Sequence, residues 1–531
     1  MADNLLDKAS ILLTPTAYND GSMLSVKPEN GDGDFTFSRG SAATRVNAQG
    51  LVENVQIISS ELVSNGDFAT DSDWLFGGSA SISNGSANFT GSGDLIRQNI
   101  ITPVGTYKVT FTVTGTGYLV VKNLTGGTSY REYTNISQGE HTIYIEKNED
   151  GIMFQSFGFA SSIDNVSVKE ITDDTDLPRI DYTDGCGSWL LEPQSTNLTP
   201  YSEDFSQSAW VKTGLNITSN SIASPSGEVN ADKWVEDTSN GAHNIRNNPN
   251  ISVTNGAEYT MSIFAKAGER TGLRFTNAAE SSVEGRFDLS NGTVTFTGTN
   301  TTFVGVEDYG NGWYRCIVSF VASTTIAQLN LGLMDGSALS YQGDGTSGLY
   351  AWGAQLENLS YATSYILTNG AIATRLADVA TNSGSSSLIN STEGVLYAEI
   401  AALADDLNIE GISISDGSIS NRVVIFKWSN SNSIRARVSS NGINVLNQTF
   451  SVSDITDFNK IAISYKLNEF KVYINGTNVF NGTSGAVPIG LNTLSFDTDG
   501  TSFTPFYGKN KALAVYKEAL TDAELQSLTT I

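Results

Sequence analysis

Two histidines, two cysteines and 56 acidic side chains are the main groups this 531-residue chain offers for proton transfer, nucleophilic attack or metal binding. His141 lies in the strand-like run EHTIYIE and His243 in the polar run GAHNIRNN. Neither has a Ser or Cys near it in a nucleophile context such as G-x-S-x-G, so both are expected to be packing residues. Cys316, in WYRCIVSF, reads as a small buried apolar side chain. Cys186, in TDGCGSW, has no cation beside it to lower a thiol pKa and reads as a turn residue. The two cysteines fall in different modules, which excludes a disulfide framework or a zinc site built on them. The chain is expected not to be an enzyme.

Glycine-rich stretches invite other chemistry and do not sustain it. GDGD (31–34) lacks the Lys-Ser/Thr of a phosphate loop. Neither it nor QGDGTSG (342–348) has the acidic residue that closes a calcium loop, so both are expected to be turns. Asp344 is the one candidate cation ligand there. Aromatic rings offer more, because a pyranose presents apolar C–H faces to an indole or phenol. Trp74, Tyr130 and Tyr133 stand in polar, glycine-bearing surroundings, and Trp428 sits at a strand end in IFKWSNSN. These four are the candidate carbohydrate-binding residues. Trp313 and Trp352 lie in apolar strands and are expected in the core.

The elements that must position these residues are strands. Fifty-one glycines with 20 Tyr and 24 Phe suit a chain of strands and tight turns. Residues 60–171 alternate at period two in YKVTFTVTG, GYLVVKNL and HTIYIEK, which predicts an antiparallel sandwich. Residues 196–380 repeat the theme, and SEDFSQSAW echoes NGDFATDSDW: Asp-Phe, a polar spacer, then Trp. Residues 395–531 form a third β-module, which ends in a helix that Thr521 caps with Glu524 three residues on. The Ser/Asn-rich stretch 381–394 reads as a linker. Segments 1–59 and 172–195 read as two halves of one unit, an extended N-terminal arm and its return, split by the 60–171 module. The fold class is therefore all-β: tandem antiparallel sandwiches of jelly-roll type with an N-terminal arm.

A net charge of −26 repels a phosphate backbone, and Lys and Arg are scattered, so nucleic-acid binding is not expected. No run reaches membrane-spanning length. MADNLLDKAS lacks the basic and apolar regions of a signal peptide, which predicts release by another route, such as lysis.

Three resemblances add expectations. FKVYINGTNV (470–479) and FYGKNKALAVYKEALTDAEL (506–525) resemble the turn and closing strand of concanavalin-type or laminin-G-type lectin jelly rolls, which implies glycan binding. Glu399 and Glu410 are acids of that module, but the E-x-D-x-x-E pattern of lectin-fold glycanases is absent. NGDF and IDNVSVKE resemble the ends of a carbohydrate-binding, galactose-binding-like jelly roll. That family often holds a structural Ca2+ between its first and last strands, which implies Asp67 and Asp164 as ligands. SRGSAATRVNAQGLVE, PRIDYTDGCGSWLLEPQSTNL and WGAQLENLSYATSYI resemble the shared body of tailed-bacteriophage appendage proteins. This implies a virion protein, most often a homotrimer, attached to other virion proteins through its N-terminal arm and displaying modules that bind host or environmental glycans. Arg39, Arg45 and Arg179 are the candidate anchoring contacts. A secreted or cell-surface bacterial glycan binder is the alternative, and a polysaccharide depolymerase a more distant one.

Overall fold

The computed structural model describes residues 3–100, 105–124, 129–147, 151–499 and 504–531. Three two-layered antiparallel sandwiches follow one another, and period-two alternation is the reason for each. In strand Gly105–Thr114 the residues Tyr107, Val109, Phe111 and Val113 are buried while their neighbours are not. Each contributes roughly 1.5–3 kcal/mol by leaving water. This strand lies between Gly139–Lys147 and Ser162–Asp173 in one layer, and five strands form the other. The second sandwich pairs two six-stranded sheets, with Glu258–Ala267 and Gly348–Glu357 central to one of them. The third packs a five-stranded sheet on an eight-stranded one.

Two composition-based expectations are corrected here. The N-terminal segment is not a free arm, because Ala9–Leu13 pairs with Gly508–Tyr516, the closing strand of the third sandwich. Arg179–Asp181 and Ser188–Leu191 extend the same sheet. Ile11, Leu13 and Trp189 thereby enter the core of the third module. Stretch 381–394 is not a loose linker either. Ser383 and Ile389 are buried, and the Ser383 backbone exchanges hydrogen bonds with Leu494. A Ser-rich composition lowers the driving force for burial without forbidding it where every polar group finds a partner.

The two halves of the split unit meet. The Val46 N–H donates to Asp181 Oδ2 at 2.8 Å, and the Tyr182 N–H donates to the Val46 carbonyl at 3.0 Å. The first sandwich leaves and returns through adjacent strands, since Ile57–Ile58 pairs with the end of Ser162–Asp173. A module with neighbouring termini is inserted without straining its host. The terminal helix Asp522–Thr529 carries the expected capping box: the Glu524 N–H donates to Thr521 Oγ1, and the Thr521 N–H to Glu524 Oε2. No described helix is long and apolar enough to cross a membrane.

The modules are joined by a buried ionic network. Arg39 Nη1 lies 3.0 Å from Asp378 Oδ1, and Arg179 reaches both Asp378 and, at 2.5 Å, Glu192. Arg375 Nη1 stands 2.9 Å from Glu192 Oε2. All five side chains are essentially shielded from solvent. Burial alone would raise the Glu192 carboxyl, but Arg375 and Arg179 hold it down at about 2. Arg39 and Arg179 are therefore internal ties, while Arg45 pairs with Glu53 near the surface. Asp378→Asn strips the charge from a site that two guanidinium groups share. Removing one partner of a buried pair costs about 3–5 kcal/mol, so the urea midpoint is expected to fall accordingly. An unchanged midpoint would show that the network does not hold the modules together.

Candidate functional site

A groove of about 990 Å³ lies between the first and second sandwiches. Its first wall comes from Ser129–Ile136 and Gly139–Lys147, which supply Tyr130, Arg131, Tyr133 and Tyr144. Its second wall comes from residues 201–206 and from Val229–Glu236 with the turn before it, which supply Glu203, Glu228 and Asp232. Trp352 and Tyr365 close the floor, with ring centroids 4.4 Å apart.

Glu203 accepts a hydrogen bond from the Tyr365 hydroxyl at 3.0 Å and from Asn230 Nδ2 at 3.1 Å. Asp232 accepts the Phe205 and Asn220 N–H groups, both at 3.0 Å. Protein on both sides of the groove desolvates the three carboxyls. Burial pushes Glu203 up to about 7 and Asp232 up to about 7. Burial and then the charge of Glu203 push Glu228 up to about 8, against the pull of Lys108 and Thr142 on the opposite wall. Near neutral pH these groups exist partly as acids and partly as carboxylates. They can therefore both donate to and accept from a hydroxyl, which is itself both donor and acceptor. Tyr144 and Leu367 add exposed apolar surface beside them.

The four sequence candidates separate. Tyr130 is half-buried in the groove wall. Tyr133 also lines the groove, but it is 6% exposed and belongs to the core of the first sandwich, so it is not a free platform. Trp74 is buried as well. Its indole donates to the Asn65 carbonyl at 3.0 Å, and its ring lies 5.3 Å from Phe68. The echoing motif builds the same unit in the second sandwich: Trp210 donates to the Tyr201 carbonyl at 2.9 Å and lies 5.2 Å from Phe205. The repeated Phe and Trp are thus a packing device. Trp428 is half-buried on the third sandwich, with Arg435 stacked over its ring at 3.3 Å.

The NGDF and IDNV motifs do meet, since the Val166 N–H donates to the Gly66 carbonyl at 2.8 Å. A Cβ at Gly66 would stand 1.9 Å from the Val166 carbonyl oxygen, so only glycine allows this approach. Ca2+ takes six to eight oxygens. Asp67 and Asp164 do not supply such a set, because each accepts from a nearby backbone N–H in its own turn. Among the described residues no three His, Cys, Asp or Glu side chains gather to hold a metal. Asp344 accepts the Thr346 and Ser347 N–H groups and is consumed by its own loop.

His141 stacks 5.5 Å from Phe111, and burial lowers its pKa; His243 is 1% exposed and faces the Gly214 carbonyl. Both are packing residues. Cys316 is buried and burial raises its thiol pKa, whereas Cys186 is exposed. Glu399 and Glu410 stand on strands of opposite sheets, and Glu410 faces Lys427. The three groove carboxyls were missed in the sequence because nothing local marks them. The only pointer was the position of Glu203 two residues before the Phe of the echoed motif.

Residues 403–526 match the family model described as the concanavalin A-like lectin/glucanases superfamily. No curated protein matches the chain in sequence. Among solved structures, the CBM40 module of the Ruminococcus gnavus IT-sialidase is 15% identical over 28% of this chain and 93% of its own, with a TM-score of 0.24. Domain 4 of AbnA, a GH43 extracellular arabinanase from Geobacillus stearothermophilus, is 16% identical over 32% of this chain and 81% of its own, at 0.21. Domains LG4-5 of the mouse laminin alpha1 chain are 9% identical over 54% of this chain and 90% of their own, at 0.19. At these scores the likenesses say nothing about what this chain binds.

Free carboxyls of this kind titrate near pH 4 in an unfolded chain. In the folded chain Glu203, Asp232 and Glu228 keep their protons to about 7, 7 and 8. The folded state thus binds more protons between these limits, and stability falls as pH rises through that window. Thermal unfolding midpoints are expected to drop from pH 5 to pH 8, and Glu228→Gln to flatten the drop. A wild-type midpoint that climbs across this range would contradict the assignment.

Proposed function

We propose that the chain is a non-catalytic glycan-binding protein that holds a neutral saccharide in the groove between its first two sandwiches. One observation carries this reading: phenol rings and partly protonated carboxyls line one groove of about 990 Å³. Sugar hydroxyls hydrogen-bond to the carboxyls, while C–H faces pack on Tyr130 and Tyr144. The match of residues 403–526 to a lectin and glucanase superfamily supports the same class of function. Hydrolysis of a glycosidic bond needs one ionised and one protonated carboxyl, set by environments that push their pKa values apart. Glu203 and Glu228 are both pushed upward, which favours binding over cleavage.

In its finer form, the proposal places the protein on a tailed-phage particle as a fibre-like or decorating appendage, a homotrimer that meets host or environmental glycans. The resemblance of SRGSAATRVNAQGLVE, PRIDYTDGCGSWLLEPQSTNL and WGAQLENLSYATSYI to phage appendage proteins supports it. Because Arg39 and Arg179 serve the internal network, attachment to other virion proteins then uses a different surface.

A glycan array probed with the full chain should return neutral oligosaccharides. Tyr130→Ala and Glu203→Gln should each weaken the best of them at least tenfold, about 1.4 kcal/mol. Intact saccharide is expected after prolonged incubation, and released product would overturn the non-catalytic reading. Mass spectrometry of purified particles should find the chain at a fixed symmetric ratio. Its absence there would leave the secreted or cell-surface alternative.

A further inference from the structure

The five-stranded sheet of the third sandwich turns one face to the core and carries an arginine–aromatic ladder on the other. Val423 and Ile425 of Arg422–Lys427 point inward, so Arg422 and Phe426 lie on the opposite face; both are buried there, at 7% and 3% exposure, while Trp428 just beyond is half-buried. The neighbouring strand Ser433–Ser440 buries Ile434, Ala436 and Val438, which places Arg435 and Arg437 on the same outer face, roughly 7 Å apart. Arg422 and Arg437 lie over the Phe426 ring at 6.0 and 5.0 Å. Arg437 and Arg435 lie over Trp428 at 5.9 and 3.3 Å. Guanidinium and aromatic groups therefore alternate in the order Arg422, Phe426, Arg437, Trp428, Arg435.

Three cations side by side repel one another, and the protein supplies little to offset this. Arg422 donates to the Thr498 carbonyl at 2.6 Å and has Asp499 near it. It is 7% exposed, and its Nε has no hydrogen-bond partner among the described residues. Arg435 and Arg437 tie Nε to Thr449 at 2.8 Å and to Asn447 at 3.2 Å. These neutral acceptors orient the two side chains, and both arginines are only half-buried. No carboxylate offsets either charge among the described residues; burial lowers both pKa values, and Arg437 lowers that of Arg435 further. In a chain of net charge −26, three clustered arginines without a matching set of acids are not accounted for by solubility.

We propose that this face binds a carboxylate-bearing saccharide, with the sugar's carboxylate on the Arg435 and Arg437 forks and its ring against the Trp428 edge. The planar fork of arginine matches a carboxylate in two parallel hydrogen bonds, and the aromatic rings hold each fork in plane. The choice of a saccharide rests on the glycan-binding reading above; the choice of an anion rests on the arginines alone.

The test is calorimetric titration of the full chain with tri-galacturonic acid and with its methyl ester, the same rings without charge. The acid should bind at least tenfold more tightly, and weaken as salt rises from 20 to 300 mM, with the threshold values being about the range over which exposed charge is screened. Arg437→Gln should lose at least tenfold for the acid with its thermal midpoint kept, and Arg435→Gln serves as the second variant should the first unfold. Equal affinity for acid and ester, or no loss in a folded variant, would overturn the proposal. So would inorganic phosphate competing as well as the trimer, since the sugar would then contribute nothing. If a neutral glycan still binds in a Glu203-dependent way while the acid does not, only this inference fails; if neither binds, the glycan-binding reading fails with it.

Discussion

The joining of the second and third sandwiches depends on five buried charges drawn from distant parts of the chain. Arg39 comes from the N-terminal segment, Arg179 and Glu192 from the return segment, and Arg375 and Asp378 from the residues leaving the second sandwich. Taking such groups out of water costs several kcal/mol per ion, and mutual attraction repays it only in good geometry. The geometry here is shared: Asp378 serves two guanidinium groups, and the Glu192 N–H also donates to Asp378 Oδ2 at 2.8 Å. An alternative packing would strand at least one of these charges. The network therefore selects one relative placement of modules more than it adds net stability.

That selection reaches the groove. Arg179 Nη1 donates to the Thr44 carbonyl at 3.1 Å, and Thr44 Oγ1 donates to the Tyr365 carbonyl at 2.6 Å. The Tyr365 hydroxyl then holds Glu203. A short chain of hydrogen bonds thus links the ionic network to the carboxyl at the centre of the candidate site. The inserted first sandwich closes the other wall, and its return strand is pinned by the Ile57–Ile58 pairing. Without the insertion Glu228 would lose the facing wall, including Lys108 and Thr142, and would be better hydrated, while the repulsion from Glu203 would remain.

What was legible in the chain was local. Alternation marked the strands, Asn475-Gly476 marked a hairpin turn with both residues at positive φ, and Thr521 with Glu524 marked the last helix. The split unit was legible as well, because each half is short, dotted with turn residues and carries an Arg beside apolar runs. Long-range pairing was not. Nothing in ASILL says that it will lie against Gly508–Tyr516 across nearly the whole chain, and nothing in a Ser-rich stretch says that Ser383 will be buried. The exposure of aromatics failed for the same reason. Trp74 stands among polar residues in sequence, yet the turn around it folds the indole onto Phe68. The groove carboxyls gain their character only when two modules face each other.

The two proposed sites carry opposite electrostatic preferences, and this follows from how each is built. The groove gathers Glu203, Glu228 and Asp232 in a partly dry space, so a ligand with its own negative charge meets repulsion there, more strongly as pH rises. The outer face of the third sandwich gathers arginines whose charge does not change with pH, so a neutral ligand gains no ionic contact there. A single strand of mixed neutral and acidic sugars would accordingly be sorted by residue charge between the two surfaces. Raising the pH would weaken the first contact and leave the second. Joining two weak sites on one chain multiplies their effect when both engage the same polymer, provided the span between them is fixed. The buried ionic network is what fixes it.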